Sequence, residues 1–272
     1  MMIDVNTPSQ TKKSSTRSLH VSITRVEGSM KREDQSGSSL PYWVWKRRKT
    51  NIVEPNKTTN RPLALLLYLH GASGRGSDWE HLSSGLPKML IDNSDNESIM
   101  AGFDVVVVAP QCPCKTEWAK PAVCAALIRL LDHCQSGNDV AVGQTDRNKV
   151  YCTGMSMGGL GCWNLAAREP ARFAAILPIC GGGNVVFAPL LKDLPIMFAH
   201  AEDDKVVPIS ETCALVDALR SFGNKRVIFK RWQSGAMLGV ENDAWCEGHN
   251  VWDECYFDRT GEVWLWLLAQ RR

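Results

Sequence analysis

One serine of this 272-residue chain lies between glycines, at the point where a β-prone run meets a predicted helix. The run Gly154-Met155-Ser156-Met157-Gly158 matches the pattern G-x-S-x-G. In that pattern a sharp strand-to-helix turn exposes the serine hydroxyl, and the following helix directs its first amides at developing negative charge. Ser156 is therefore a candidate nucleophile for acyl transfer. The pentapeptide alone also fits an ordinary glycine-rich turn that lets a helix pack closely on a sheet.

A serine nucleophile needs a base to take its proton and an acid to orient that base. With G-x-S-x-G, the order along the chain is serine, acid, histidine. Two histidines follow Ser156, namely His200 and His249. His200 ends a predicted strand before the acidic cluster, so we interpret it as a structural residue. His249 lies in a loop before the last predicted helix and is the candidate base.

The acid should follow a strand and precede the histidine. Glu202, Asp203 and Asp204 come directly after the predicted strand at residues 195–200. Asp204 is the first candidate for the acid, and Asp203 is the second. The same cluster could instead form a solvated turn in which one residue caps the next helix.

Acyl transfer also needs two backbone N–H donors for the oxyanion that forms in the transition state. The first predicted donor is Met157, the residue after the nucleophile. Gly71 ends an earlier predicted strand and permits unusual backbone angles, so we expect the Ala72 amide to be the second donor. His70 precedes the serine, and we interpret it as a hydrogen-bonded anchor of this loop. Considered apart from the other candidate site residues, the loop that contains Gly71 and Ala72 also fits an ordinary turn at the end of a strand.

These residues can meet only if the strands that carry them end at one edge of a sheet. Apolar runs without polar alternation are typical of strands buried on both faces, and they occur at residues 62–70, 103–109, 149–153, 173–180, 195–200 and 226–232. Helix signals lie at residues 117–134, 157–168, 210–222 and 261–270. Residues 20–27 and 41–46 predict an N-terminal β-hairpin. The alternation predicts a doubly wound, mostly parallel α/β sheet.

Charge is distributed unevenly along the chain. Residues 1–61 carry 12 Lys/Arg against 5 Asp/Glu, whereas the whole chain has a net charge of only +2. We predict a disordered basic arm at residues 1–18 and a single α/β domain at residues 19–272. The small net charge argues against nucleic acid as a partner, and the lack of an 18-residue apolar run argues against membrane insertion.

The ten cysteines make no C-x-x-C pair and no zinc-ligand spacing. Several lie inside apolar patterns, where a thiol behaves as a small hydrophobic group. Because the N-terminus also lacks a secretory pattern, we predict free thiols and a cytoplasmic location. Neither a metal nor another cofactor is expected.

Five stretches, in order over residues 62–272, resemble the α/β-hydrolase superfamily. The resemblance is to the small serine carboxylesterases, a branch that includes phospholipase/carboxylesterase-type enzymes, "predicted peptidase" esterases and polyhydroxybutyrate-depolymerase-like esterases. The stretches are LYLHGASGRGSDW (67–79), VVVVAPQCP (105–113), VYCTGMSMGGLGCWNLAAREPARFAAILPICGGG (150–183), LPIMFAHAEDDKVVP (194–208) and GHNVW (248–252).

The resemblance implies the α/β-hydrolase fold and metal-free hydrolysis of an ester or thioester. The family pattern G-x-x-D-x-x-V-P matches residues 201–208 and assigns the acid to Asp204, although Ala201 replaces the usual glycine. The chain is longer than is usual for this branch between the last strand and the histidine. We interpret residues 233–247 as a flap over the substrate, with Met237, Leu238 and Trp245 as substrate-binding residues. A surface insertion without substrate contact is the alternative.

The predicted function is therefore that of a serine esterase with Ser156, Asp204 and His249 as the catalytic triad. An acyl thioesterase acting on acyl-protein or acyl-CoA would use the same residues. A peptidase has no support in the sequence. A non-catalytic binding protein on a hydrolase scaffold usually lacks a triad residue, and none is missing here. The acyl and alcohol groups of the substrate and the oligomeric state stay open.

Overall fold

The computed structural model describes residues 21–26, 40–47, 61–76, 84–92, 103–235, 248–258 and 260–272. The predicted basic arm at residues 1–18 lies outside the described residues. So do Met237, Leu238 and Trp245, the predicted substrate-binding residues. These assignments, and the assignment of residues 19–272 to a single domain, stay predictions.

The described strands form one eight-stranded sheet in the order β1-β2-β4-β3-β5-β6-β7-β8. Along the chain they are β1 (Val21–Val26), β2 (Tyr42–Arg47), β3 (Leu63–Leu69), β4 (Val105–Pro110), β5 (Thr145–Met155), β6 (Ala175–Ile179), β7 (Ile196–Ala201) and β8 (Val227–Trp232). Strands β3 to β8 run parallel to one another, whereas β2 pairs antiparallel with both β1 and β4. The predicted N-terminal antiparallel pair and mostly parallel sheet are confirmed.

Four of the described helices lie between strands of the parallel part of the sheet, and two more, α5 and α6, follow the last strand. They are α1 (Gly85–Asp92), α2 (Pro121–Gln135), α3 (Met157–Arg168), α4 (Ile209–Ser221), α5 (Val251–Tyr256) and α6 (Glu262–Ala269). The sequence predicted a start for α2 at residue 117, but the helix begins at Pro121, whose fixed φ and missing N–H suit the first turn. No helix among the described residues combines the length and apolar character that a membrane crossing requires.

Both faces of the sheet are covered. Along β3 the alternate side chains divide between two cores, one with Leu63, Leu65, Leu67 and Leu69 and the other with Ala64, Leu66 and Tyr68. Helices α2, α3 and α4 contribute to the first core, and α1, α5 and α6 contribute to the second. Because neither face of a central strand meets water, its sequence is an unbroken apolar run rather than an alternating one.

The nine cysteines in the described part of the chain are free thiols. Seven of them are buried, including Cys152 on β5 and Cys162 on α3. All of these seven except Cys124 pack in the two cores, where a thiol behaves as a small hydrophobic group.

The sheet order brings β3, β5, β6 and β7 side by side in parallel. Their carboxyl ends therefore lie at one edge of the sheet, where ligands bind in open α/β folds. The turn after β3 contains Gly71, Ser156 follows β5 directly, and Asp204 follows β7. The predicted site residues therefore follow strands that end at this edge of the sheet.

Candidate active site

Ser156 joins a strand to a helix with no intervening loop. Strand β5 ends at Met155 and α3 begins at Met157, so the change of direction falls on Ser156, which has φ 56° and ψ −120°. This conformation costs a residue with a Cβ on the order of 1–3 kcal/mol. The surrounding backbone holds it, because the Ser156 amide donates to Ile179 O at 2.9 Å and Ser156 O accepts from the Leu160 amide at 3.1 Å.

The glycines around Ser156 allow backbones to come close together. A Cβ on Gly158 would lie 1.9 Å from the carbonyl oxygen of Leu69, at the end of β3. A Cβ on Gly154 would lie 2.5 Å from the carbonyl oxygen of Gly158. Both distances are too short for any carbon atom. The helix can therefore follow the serine at once only if these positions carry no side chain.

Replacing Gly158 with alanine is expected to lower the free energy of unfolding by about 3 kcal/mol or more, since the added methyl overlaps a buried backbone carbonyl. Urea denaturation measures this loss. The matched control is Gly223→Ala, where φ is 87° and no atom lies within 4 Å of an added Cβ. Backbone strain alone should cost that variant about 1–2 kcal/mol. Equal losses in the two variants would contradict the role assigned to close approach at Gly158.

The side chains of Ser156, His249 and Asp204 form one hydrogen-bonded chain. His249 Nδ1 lies 2.7 Å from Asp204 Oδ2, and His249 Nε2 lies 2.9 Å from Ser156 Oγ. A carboxylate only accepts hydrogen bonds, so Nδ1 carries the proton and donates it. In the neutral ring Nε2 then offers its lone pair to the serine hydroxyl. The structure thus brings together the three side chains that the sequence predicts as nucleophile, base and acid.

Asp204 is buried and fully engaged in hydrogen bonds. Its Oδ1 accepts from the amides of Val206 and Val207, each at 2.9 Å, and its Oδ2 faces His249 and His200. Burial by itself would raise the pKa of this carboxyl. The hydrogen bonds from His200, His249 and the Val207 amide outweigh burial and hold the pKa of Asp204 well below its usual range. The group is therefore a carboxylate at neutral pH.

The other two acids of the cluster have different partners. Asp203 accepts from the Ser234 hydroxyl at 2.6 Å and from the Gly235 amide at 3.0 Å. Glu202 forms an exposed ion pair with Arg231, with N and O 3.3 Å apart. Helix α4 begins at Ile209 with Pro208 as its N-cap, so none of the three acids caps it. Asp204 is the acid that contacts His249.

Asp203 also fixes the chain where the His249 loop begins. Gly248 has φ 78°, and a Cβ on it would lie 2.4 Å from the Asp203 backbone and carboxylate. The Asn250 amide donates to Gly235 O at 3.2 Å. On the far side, the His249 ring packs at right angles to Trp252, with centroids 5.3 Å apart. The imidazole is therefore positioned from both directions along the chain.

His70 fixes the orientation of the peptide between Gly71 and Ala72, shortly after β3. The Cys112 amide donates to His70 Nε2 at 3.0 Å, so the proton of the neutral ring is on Nδ1. That nitrogen lies 2.6 Å from Gly71 O and donates to it. In a planar trans peptide the N–H and C=O point in opposite directions, so the Ala72 N–H points away from the His70 ring. A Cβ on Gly74 would lie 2.4 Å from that ring, which explains the glycine there.

Both predicted oxyanion donors belong to peptides close to Ser156. A Cβ on Gly71 would be 3.7 Å from Ser156 Cβ, so the peptide that carries the Ala72 amide is next to the serine. Met157 is the first residue of α3, and an amide at that position has no acceptor within its own helix. Binding of an oxyanion by these two amides stays a prediction.

Among the described residues, Cys180, Asp204 and His249 form a group that could ligate a metal ion. Their ligand atoms lie within 4.8 Å of one another, and all three residues are buried. Both nitrogens of His249 are already within hydrogen-bonding distance of Asp204 and Ser156. A metal ion here would have to replace those hydrogen bonds, so the arrangement favours proton transfer over metal ligation.

Several solved structures share this arrangement of sheet and helices. A thermostable esterase matches 94% of this chain with a TM-score of 0.67 at 26% sequence identity. A Klebsiella pneumoniae subsp. pneumoniae MGH 78578 protein assigned as a dienelactone hydrolase matches 79% of this chain and 86% of its own, with a TM-score of 0.51 at 16% identity. A protein named FAE matches 79% of this chain and 81% of its own, with a TM-score of 0.54 at 14% identity. This chain is an α/β-hydrolase-fold protein.

The fold confirms the superfamily resemblance seen in the sequence. This α/β-hydrolase-fold protein spans 64% of the length of the thermostable esterase. No protein-family model matches it, and no curated protein does either. At these sequence identities the similarity shows the fold, whereas the chemistry depends on the individual site residues.

Sequence reasoning missed one neighbour of the hydrogen-bonded chain Ser156–His249–Asp204 in this α/β-hydrolase-fold protein. We interpreted His200 as a structural residue at a strand end, but its Nε2 lies 3.0 Å from Asp204 Oδ2. His200 is fully buried and is the last residue but one of β7, four residues before Asp204. The spacing of four residues between His200 and Asp204, across a tight turn, was the feature of the sequence that could have indicated this contact. Sequence gives no indication of the side-chain directions that bring the two groups together.

Proposed function

We propose that this chain is a serine hydrolase of the small carboxylesterase type, which cleaves carboxylic esters through an acyl-enzyme on Ser156. The observation that carries the proposal is the hydrogen-bonded chain from Ser156 through His249 to the buried carboxylate of Asp204. A serine on a strained turn, a histidine with its lone pair toward that serine and an ionised acid behind it make up an activated nucleophile. Similarity to the thermostable esterase adds support.

In the proposed mechanism His249 Nε2 removes the proton of Ser156 as Oγ attacks the ester carbonyl. Asp204 holds the Nδ1–H tautomer and stabilises the imidazolium that forms. The Met157 and Ala72 amides donate to the oxyanion of the tetrahedral intermediate. His249 then protonates the leaving alcohol. Water repeats the sequence on the acyl-enzyme, releases the acid and restores Ser156.

The placement of Asp204 suits this cycle. It accepts two amides on Oδ1, so its orientation does not depend on the protonation of His249. Its pKa is held low by hydrogen bonds that outweigh burial, so it stays negative while His249 gains and loses a proton. The charge that stabilises the imidazolium is therefore present throughout the reaction.

Labelling with a fluorophosphonate probe tests the proposal directly, because the probe reacts with activated serines. We expect the wild-type protein to take up the probe, and Ser156→Ala and His249→Ala to lose labelling. Ser221→Ala is the matched control, since Ser221 is an exposed serine at the end of α4 that bonds only within its own helix turn. Labelling of Ser156→Ala at the wild-type rate would overturn the proposal.

The leaving group distinguishes an esterase from an acyl thioesterase, because the same triad serves both. Oxygen esters and thioesters of the same acyl group, compared over a series of acyl chain lengths by kcat/KM, separate the two. A consistent preference for thioesters would make acyl thioesterase the better description.

A further inference from the structure

A second buried histidine contacts the carboxylate of the proposed triad. His200 Nε2 lies 3.0 Å from Asp204 Oδ2 and 2.9 Å from Val207 O. The same Oδ2 lies 2.7 Å from His249 Nδ1. Asp204 therefore lies between two imidazoles that approach one oxygen atom.

The partners of His200 fix where its proton lies. Val207 O and the ionised Asp204 carboxylate can only accept, so Nε2 carries a proton and donates to both. On the other side of the ring, Nδ1 lies 2.8 Å from Thr212 Oγ1, which lies 3.1 Å from Gly181 O. The Thr212 hydroxyl donates either to Gly181 O, with Nδ1 protonated, or to Nδ1. In both arrangements Nε2 donates to Asp204.

We propose that His200 is a positioning residue for the reaction, which shares the Asp204 carboxylate with His249 and thereby sets how strongly that carboxylate stabilises protonated His249. This inference rests on the proposed function. It also accounts for the buried line of polar groups Gly181, Thr212, His200, Asp204, His249 and Ser156, which leads from α4 and the end of β6 to the nucleophile.

When two N–H groups donate to the same oxygen atom, each hydrogen bond is weaker than it would be alone. With His200 in place, the negative charge on Oδ2 is divided between two N–H donors. Without the His200 donor, Oδ2 faces the His249 N–H alone and stabilises the imidazolium form more strongly. Loss of any positive charge on His200 would act in the same direction. Removing the donor should therefore raise the pH at which His249 gains its proton.

Other titratable groups face this cluster and are kept unchanged in the test. Cys180, at the end of β6, has its thiol within 4.8 Å of the ligand atoms of Asp204 and His249. Glu211 precedes Thr212 on α4 and lies against Gly182, where an added Cβ would be 3.1 Å from its carboxylate. Asp203 bonds the Ser234 hydroxyl and the Gly235 amide. None of these is altered by substitution at His200.

The test is the pH dependence of kcat/KM on p-nitrophenyl acetate for the wild type, His200→Leu and His200→Gln. Leucine removes the donor, and glutamine keeps an N–H at a similar reach. We expect the acid limb to move upward by about 0.5–1 pH unit in His200→Leu and by less than half as much in His200→Gln. If His200→Leu does not fold, His200→Asn, whose amide is too short to reach Asp204, takes its place.

An NMR titration of the His249 ring protons in the same variants measures this midpoint without turnover. A wild type that hydrolyses no ester would contradict the proposed function, and the NMR titration would still test the role of His200. An unchanged or lowered midpoint in the variant without a donor would overturn the inference. So would an equal shift in His200→Gln, because a merely structural role does not depend on an N–H at that position.

Discussion

Replacing Ser156 with alanine is expected to reduce kcat on p-nitrophenyl acetate by about 10⁴-fold or more. The alanine removes the atom that forms the acyl-enzyme, while the Met157 and Ala72 amides and the substrate contacts remain. The effect should therefore appear in kcat much more than in KM. Steady-state kinetics of purified protein, with active-site titration of the wild type, measure it.

The fold should tolerate this substitution, because the Ser156 backbone is held by Ile179 O and the Leu160 amide rather than by its hydroxyl. A melting temperature close to that of the wild type is the control. If the alanine variant keeps more than about a tenth of wild-type kcat, Ser156 is not the nucleophile.

Asparagine at position 204 is expected to lower kcat by about 10³–10⁴-fold. Asp204 accepts two backbone amides on Oδ1 and two imidazole N–H groups on Oδ2. Asparagine has only one acceptor oxygen, so its NH₂ must face one of these pairs of donors. If the NH₂ faces the imidazoles, His249 is driven into the wrong tautomer. The charge that stabilises its imidazolium is lost in either orientation.

Asp203→Asn is the matched control for this substitution, since it makes the same chemical change at the next residue. Asparagine can still accept from either Ser234 or Gly235, and Asp203 does not touch the His249 ring. We expect a change in kcat of less than about 10-fold. Steady-state kinetics of the two variants under identical conditions decide between the acids. A larger loss in Asp203→Asn than in Asp204→Asn would identify Asp203 as the acid.

The sharp turn at Ser156 and the chain order serine, acid, histidine could be predicted because they depend on local constraints. Position 158 must be glycine because Leu69 O lies so close to it. This requirement is visible in the sequence as the second glycine of G-x-S-x-G. Residue order alone did not separate Asp203 from Asp204, since both follow β7 directly. Their side chains point to different neighbours, Ser234 in one case and His249 in the other, and a tight turn sets this difference.

Other features depend on contacts between segments that are distant in the sequence, and no local sequence pattern indicates them. Helices α1 and α5 are eight and six residues long, which is too short for a clear helical period, and both were missed. The proposed positioning role of His200 involves Thr212 of α4, whose hydroxyl oxygen lies 2.8 Å from His200 Nδ1. The proton position on His70 requires the Cys112 amide, which is 42 residues away in sequence.

The approach of Gly235 to Gly248 has a practical consequence for redesign. A Cβ on Gly235 would lie 2.1 Å from Gly248 O, and the Asn250 amide bonds Gly235 O, so the chain leaves and rejoins the described structure at a single point. We therefore expect His249 to keep its position when the number of residues between Gly235 and Gly248 changes. Positions 235 and 248 are thus the natural junctions for grafting segments of different length.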